Sequence, residues 1–116
     1  MKKEGSPVRA VQHCHDVLKW LIPQLDRFPR SRRFSLGVRI ETGLLDTLGA
    51  LISASYSRRK TGSLATANQQ LAIVRHLWRL AFELKVVDQR RYNFGTEQLL
   101  ELGGQIGGWQ KHAENP

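Results

Sequence analysis

The 116 residues carry 18 Lys and Arg against 10 Asp and Glu, a formal charge of +8, with 41% apolar residues and a single cysteine. That length holds one hydrophobic core and excludes a second domain with a catalytic cleft between the two, while an apolar share near the globular average excludes a wholly disordered chain. Cys14 alone forms no intrachain disulfide, the polar first seven residues lack the apolar run of a signal peptide, and no stretch approaches the roughly 20 apolar residues of a membrane span. The expected compartment is the cytoplasm. Twelve of the 18 cations are Arg, whose planar fork suits phosphates and stacking, so the charge points to polyanionic partners, with nucleic acid first.

Four segments have helical periodicity. Residues 1–7 are expected to be disordered, residues 8–111 to form one domain, and residues 112–116 to be a frayed tail. In the first helix, expected from about Val8 to Asp26, Val11, Cys14, Leu18, Leu21, Ile22 and Leu25 recur at spacings of three and four. Pro23 is expected to kink or loosen its last turn. Residues 27–33 break the period, because Pro29 disfavours helix at Phe28. A second helix, about Phe34 to Ser57, has two apolar stripes: Phe34, Val38, Leu45, Leu48 and Ile52, beside Leu36, Ile40, Leu44 and Leu51. Thr42, Gly43, Asp46, Gly49, Ala50 and Ser53 are small enough to admit a further packing partner.

Arg58-Arg59-Lys60-Thr61-Gly62 is a basic turn, with Gly62 a candidate C-cap or turn residue. Ser63 is the expected N-cap of a third helix, about Leu64 to Val87. Its stripes are Leu64, Ala67, Leu71, Val74, Trp78 and Ala81, and Ile73, Leu77, Leu80, Leu84 and Val87, with a polar strip of Arg75, Arg79 and Glu83 beside His76. A helix apolar over most of its circumference is buried on more than one side, which favours self-association. Residues 88–95 read as a loop and Thr96 as the N-cap of a last helix, whose apolar face is Leu99, Leu102, Ile106 and Trp109. Gly103, Gly104, Gly107 and Gly108 each lower helix propensity by roughly 1 kcal/mol relative to Ala, and point to a close helix–helix contact. Long helices joined by short turns make an all-α, up-down-up-down antiparallel four-helix bundle.

Little in this pattern carries catalysis. On a helix His13 and His15 lie about 200° apart and cannot share an ion. Cys14 lies on the apolar stripe, so no metal site is expected. The carboxylates are scattered; Glu41 alone falls on an apolar face, with Arg39 or Arg75 as the expected partner. The helix-four glycines follow no strand and lack the Lys-Ser/Thr ending of a phosphate loop. The chain is read as a non-enzyme needing no cofactor. The positive charge, by contrast, is clustered. Arg27, Arg30, Arg32, Arg33 and Arg39 occur without an intervening acid, Arg58-Arg59-Lys60 and Arg90-Arg91 add two clusters, and Arg75 and Arg79 lie on the third helix. These 12 residues are the candidate nucleic-acid and partner contacts. In an up-down bundle the first and third turns share one end, which brings Arg30, Arg32 and Arg33 to Arg90 and Arg91. Of the aromatics interleaved there, Tyr92 and Phe94 are candidates to stack on unpaired bases, whereas Phe28 and Phe34 are read as hydrophobic plugs.

The segment Phe28-Pro29-Arg30-Ser31-Arg32-Arg33-Phe34-Ser35-Leu36-Gly37, the run Leu71-Ala72-Ile73-Val74-Arg75-His76-Leu77-Trp78-Arg79-Leu80-Ala81 and the ending Glu101-Leu102-Gly103-Gly104-Gln105-Ile106-Gly107-Gly108-Trp109-Gln110-Lys111 resemble the accessory variability determinant (Avd) proteins of diversity-generating retroelements. The likeness covers roughly residues 12 to 111 and rests on the order and spacing of the segments together. It implies a homopentameric barrel of basic four-helix bundles. It also implies association with the element's reverse transcriptase and with template RNA or an RNA/DNA hybrid, in the mutagenic copying of a template repeat into a variable repeat (mutagenic retrohoming). A related group, encoded within intervening sequences of bacterial large-subunit ribosomal RNA, shares the bundle and gives the alternative: ribosomal RNA binding without a polymerase partner.

Overall fold

A computed structural model describes residues 7–114. Helix α1 spans Pro7–Asp26. Helix α2, residues 30–56, has three consecutive pieces: an α turn Arg30–Arg32, a π-helical turn Arg33–Gly37 and a long α stretch Val38–Tyr56. Helix α3 is Thr61–Glu83 and helix α4 is Gln89–Glu114. Among the described residues there is no strand. Contacts run from α1 to α2, α2 to α3, α3 to α4 and α4 back to α1, so chain neighbours pack side by side and the last helix closes the ring on the first. The result is the expected all-α, up-down-up-down bundle, 45 × 23 × 19 Å in extent.

Each helix turns one predicted stripe inward. Leu18, Leu21 and Leu25 of α1, Leu36, Ile40, Leu44 and Leu51 of α2, Leu64, Leu71, Val74 and Trp78 of α3, and Leu99, Leu102, Ile106 and Trp109 of α4 are all buried. The helices approach most closely where side chains are missing. A Cβ on Gly43 would stand 2.7 Å from Val74 Cγ2, and one on Gly95 would stand 2.8 Å from the Trp78 ring. Gly43 therefore serves α2–α3 packing within the bundle. Three of the four α4 glycines expected to make the close contact do not make it here: Gly103 is in ordinary contact with Leu71, and nothing lies within 4 Å of a Cβ at Gly104 or Gly107.

The turns differ most from expectation. Of the N-terminal segment read as disordered, residues 1–6 lie outside the described residues, and Pro7 already opens α1, where its missing N–H would have no intrahelical partner in any case. The helix continues through Pro23 to Asp26. Pro29 does not hold helix off until Phe34: it caps α2, its carbonyl accepting the N–H groups of Arg32 and Arg33 at 2.8 Å. Helix α3 starts at Thr61 with no side-chain cap, so Gly62 is helical and Ser63 is not the N-cap. It ends at Glu83, four residues early, because Lys85 takes a left-handed φ of 64°. There Val86 N–H bonds Ala81 O at 3.1 Å and Lys85 N–H bonds Phe82 O at 2.9 Å, the paired closure of a Schellman motif. The predicted loop at 88–95 is helix from Gln89 on. Asp88, not Thr96, is the cap: its Oδ1 accepts Arg91 N–H at 2.8 Å and its carbonyl accepts Tyr92 N–H at 2.9 Å. The bond from the Arg91 amide, ahead of the nearby guanidinium charges, holds the Asp88 carboxyl below its ordinary range. Helix α4 runs on to Glu114, so of the expected tail Asn115 and Pro116 lie outside the described residues.

Much of the second stripes of α2 and α3 faces outward, although Leu48 and Leu77 pack against the core and Val87 is buried in it. Val38, Leu45 and Ile52 on α2, Ile73 and Leu80 on α3, and Leu84 just past its end are each about two-fifths exposed. Of the small residues on α2, Thr42, Asp46, Gly49 and Ser53 are exposed, and by helical angle they lie between the two stripes. The outer face of α2 and α3 thus combines exposed aliphatic side chains with small polar ones.

Cys14 is fully buried, and burial alone raises its thiol pKa to about 12. Since the thiolate is the reactive form, iodoacetamide at pH 8 is expected to leave Cys14 unmodified in the folded protein and to label it in denaturant. Mass spectrometry checks this, and rapid labelling without denaturant would contradict the packing of α1 on α2.

Candidate nucleic-acid interface

The topology places the turns 27–29 and 84–88 at one end of the bundle and the turn 57–60 at the other. Arg27, Arg30, Arg32, Arg33, Arg90 and Arg91 are thereby gathered at one end, as the order of the turns predicts, and Arg58, Arg59 and Lys60 are set at the far end of a molecule 45 Å long. Arg39 is exposed on the first α turn after the π segment, and Arg75 and Arg79 flank a groove between α3 and α4.

Ion pairing divides these cations into two groups. Arg33, on the π-helical turn, reaches both Asp26 and Glu41, with Nη2 3.0 Å from a carboxylate oxygen of each. Glu41 therefore pairs with Arg33, not with Arg39 or Arg75, because the π turn carries Arg33 back over Gly37, whose missing Cβ would stand 3.4 Å from Arg33 Cδ. Arg91 pairs with Asp88 and Arg79 with Glu83, each at 3.0 Å. Lys60 donates to the carbonyls of Ala54 and Ser57 at 2.8 Å each, and so caps the end of α2. Arg33 and Arg91 are each less than a quarter exposed, with their charge opposed locally. Among the described residues Arg27, Arg30, Arg32 and Arg90 carry no ion pair, although Arg27 contributes to the field at Asp88. With Lys85 in the turn 84–88 they make up the surplus charge of that end, and Arg39, Arg58, Arg59 and Arg75 carry no ion pair among the described residues either.

The aromatics sort differently from the sequence reading. Phe28 is buried, the plug expected. Phe34 is not a plug: the π turn swings it outward to 70% exposure, and the Arg30 guanidinium lies over its ring, 5.7 Å from the centroid. Tyr92 is unsuited to stacking on a base, because Phe82 lies 4.2 Å from its ring at 13° and Trp78 stacks on it at 6.2 Å and 23°. Phe94 is 44% exposed and leans on Trp20, with ring centroids 4.8 Å apart. Trp20 is missed by the sequence reading because it lies off the main stripe of α1; a Trp in that position is the signal that could have found it.

Along the middle of the bundle, Arg75, His76, Arg79, Tyr92 and Thr96 line a groove of about 330 Å³. His15 is exposed, whereas His13 is tied to Gln98 through its Nε2, 3.2 Å from Oε1. Among the described residues no three His, Cys, Asp or Glu side chains stand close enough to hold a metal ion, and no helix is long and apolar enough to cross a membrane.

Fold and charge together define a basic, all-helical four-helix bundle whose cations without ion pairs, among the described residues, lie at both ends and along its side. The chain belongs to the bAvd-like family, whose model matches residues 9–113. That family is an accessory one and is not known as catalytic. No curated protein and no solved structure matches the chain.

Proposed function

We propose that this protein is a non-catalytic accessory subunit of a diversity-generating retroelement, binding the element's reverse transcriptase and its template RNA, or the RNA/DNA hybrid, in mutagenic retrohoming. The observation that carries the reading is the set of Arg27, Arg30, Arg32 and Arg90, without ion pairs among the described residues, at one end of a bAvd-like bundle. Such a surplus releases counterions from a phosphate backbone irrespective of sequence, as a factor that holds a template in place requires. Self-association belongs to the same reading. The outward stripes of α2 and α3 leave six large aliphatic side chains two-fifths exposed, more than a solitary bundle of this size gains by displaying. A homopentamer, the assembly implied by the resemblance, buries that face and multiplies the charge. The cytoplasm is the proposed place of action, and the role calls for neither cofactor nor membrane.

Co-expression with the retroelement's reverse transcriptase tests the partnership. The tagged chain is expected to retain polymerase and template RNA through a wash at about 0.15 M salt. Recovery of ribosomal RNA without a polymerase would support the alternative of an rRNA-associated bundle. Light scattering is expected to report about five times the 13.2 kDa chain mass, and a monomer at micromolar concentration would overturn the assembly.

A further inference from the structure

Beside the cationic end a cleft of about 430 Å³ opens between α1 and the first turns of α4, lined by Trp20, Arg90, Arg91, Asn93, Phe94 and Glu97. On α4, Arg90, Asn93, Phe94 and Glu97 recur at spacings of three and four and so share a face, across which Trp20 projects from α1. The rings of Trp20 and Phe94 touch, with centroids 4.8 Å apart and planes at 53°. Phe94 retains 44% of its surface in solvent, an exposure the core does not require. The Asn93 carbonyl accepts a bond from Gln89 Nε2 at 3.1 Å, which leaves its NH₂ as a donor toward the cleft. Arg90 carries no ion pair among the described residues, whereas Arg91 is held by Asp88.

We infer that this cleft takes an unpaired nucleobase of a single-stranded nucleic acid, stacked on the exposed face of Phe94 beside Trp20, with Arg90 on the adjoining phosphate. The chemistry selects a base over a phosphate, because Glu97 places a carboxylate on the wall of the cleft and repels an anion seated there. It selects a single strand over a duplex, because a paired base has neither face nor edge free to enter. The inference rests on the proposal that the chain binds nucleic acid and adds the form of that nucleic acid.

The full-length protein reports on its own site. Trp78 and Trp109 are buried, at 1% and 2% exposure, so quenching by an added oligonucleotide reads Trp20. The probes are a 12-nucleotide single-stranded RNA and the same sequence paired as a duplex, at low salt. Phe94→Ala is expected to weaken single-strand binding roughly 5- to 150-fold, the range for loss of one base–aromatic stack, and to leave duplex binding unchanged. Phe94→Leu keeps the apolar volume without the π face and is expected to fall with Phe94→Ala, while Trp20→Phe removes the signal and retains binding. If wild type binds both probes and neither Phe94 variant alters single-strand affinity, the cleft is not a base site and the broader proposal stands. If Trp20 responds to the reverse transcriptase and not to RNA, the cleft docks protein and the inference fails. If wild type binds neither probe, the nucleic-acid reading itself fails.

Discussion

Trp78→Ala is expected to remove roughly 3–5 kcal/mol of stability, the range for truncating a buried large aromatic, from the roughly 5–15 kcal/mol that a domain has in total. The indole is 1% exposed and lies directly against the α4 backbone at Gly95. Its ring stacks on Tyr92 and meets Trp20 edge-on, both at 6.2 Å, and its Nε1 donates to Tyr92 O at 3.2 Å. Truncation leaves a cavity that the helices on either side cannot close without tilting. Gly95→Ala disturbs the same contact from the other side and is expected to cost about 1–3 kcal/mol by overpacking. Combined with Trp78→Leu, that substitution is expected to cost less than the sum, since the added methyl enters vacated volume. Urea denaturation checks each variant through its midpoint, and a wild-type midpoint for Trp78→Ala would remove the indole from its central place in the α3–α4 contact.

Replacing Arg30, Arg32 and Arg90 together with Ala is expected to weaken RNA binding on the order of 100-fold near 0.1 M salt. Each single-strand phosphate contact contributes a slope of about 0.7 in log affinity against log salt, or roughly fivefold at that concentration, so three contacts multiply to that figure and flatten the slope by about 2. The melting temperature is expected to hold, because none of the three carries an ion pair among the described residues. Arg33→Ala is the informative contrast. It strands Glu41 and Asp26 and is expected to lower stability, with the salt slope little changed. A triple variant whose salt slope matches wild type would take these residues out of the interface.

Periodicity alone identifies the inward stripes. On α2 the spacing of Leu36, Ile40, Leu44 and Leu51 repeats the geometry of a helix face, and the stripes of α3 and α4 do the same. Antiparallel order likewise predicts which cationic turns share an end. The helix ends are illegible for specific reasons. Lys85 closes α3 in a left-handed conformation normally given to glycine, so the usual stop signal is missing. Asp88 caps α4 seven residues before Gly95, a residue that reads as a loop signal until Trp78 is seen against it. Which cations remain unopposed is hidden as well, because the Arg33–Glu41 pair depends on an extra residue in the helix that no propensity scale reports.

That residue sits in the π turn, where Val38 N–H reaches back five positions to Arg33 O. An inserted residue turns everything ahead of it by about 100° around the helix axis relative to an unbroken α-helix. The opening turn with Arg30 and Arg32 is thereby aimed independently of Ile40 and Leu44, and the Arg33–Glu41 bridge spans the wide turn like a splint. The heading of the charged tip and the seating of most of the hydrophobic interior are thus set by successive parts of one helix, joined through the buried Leu36 and the Arg33–Glu41 bridge.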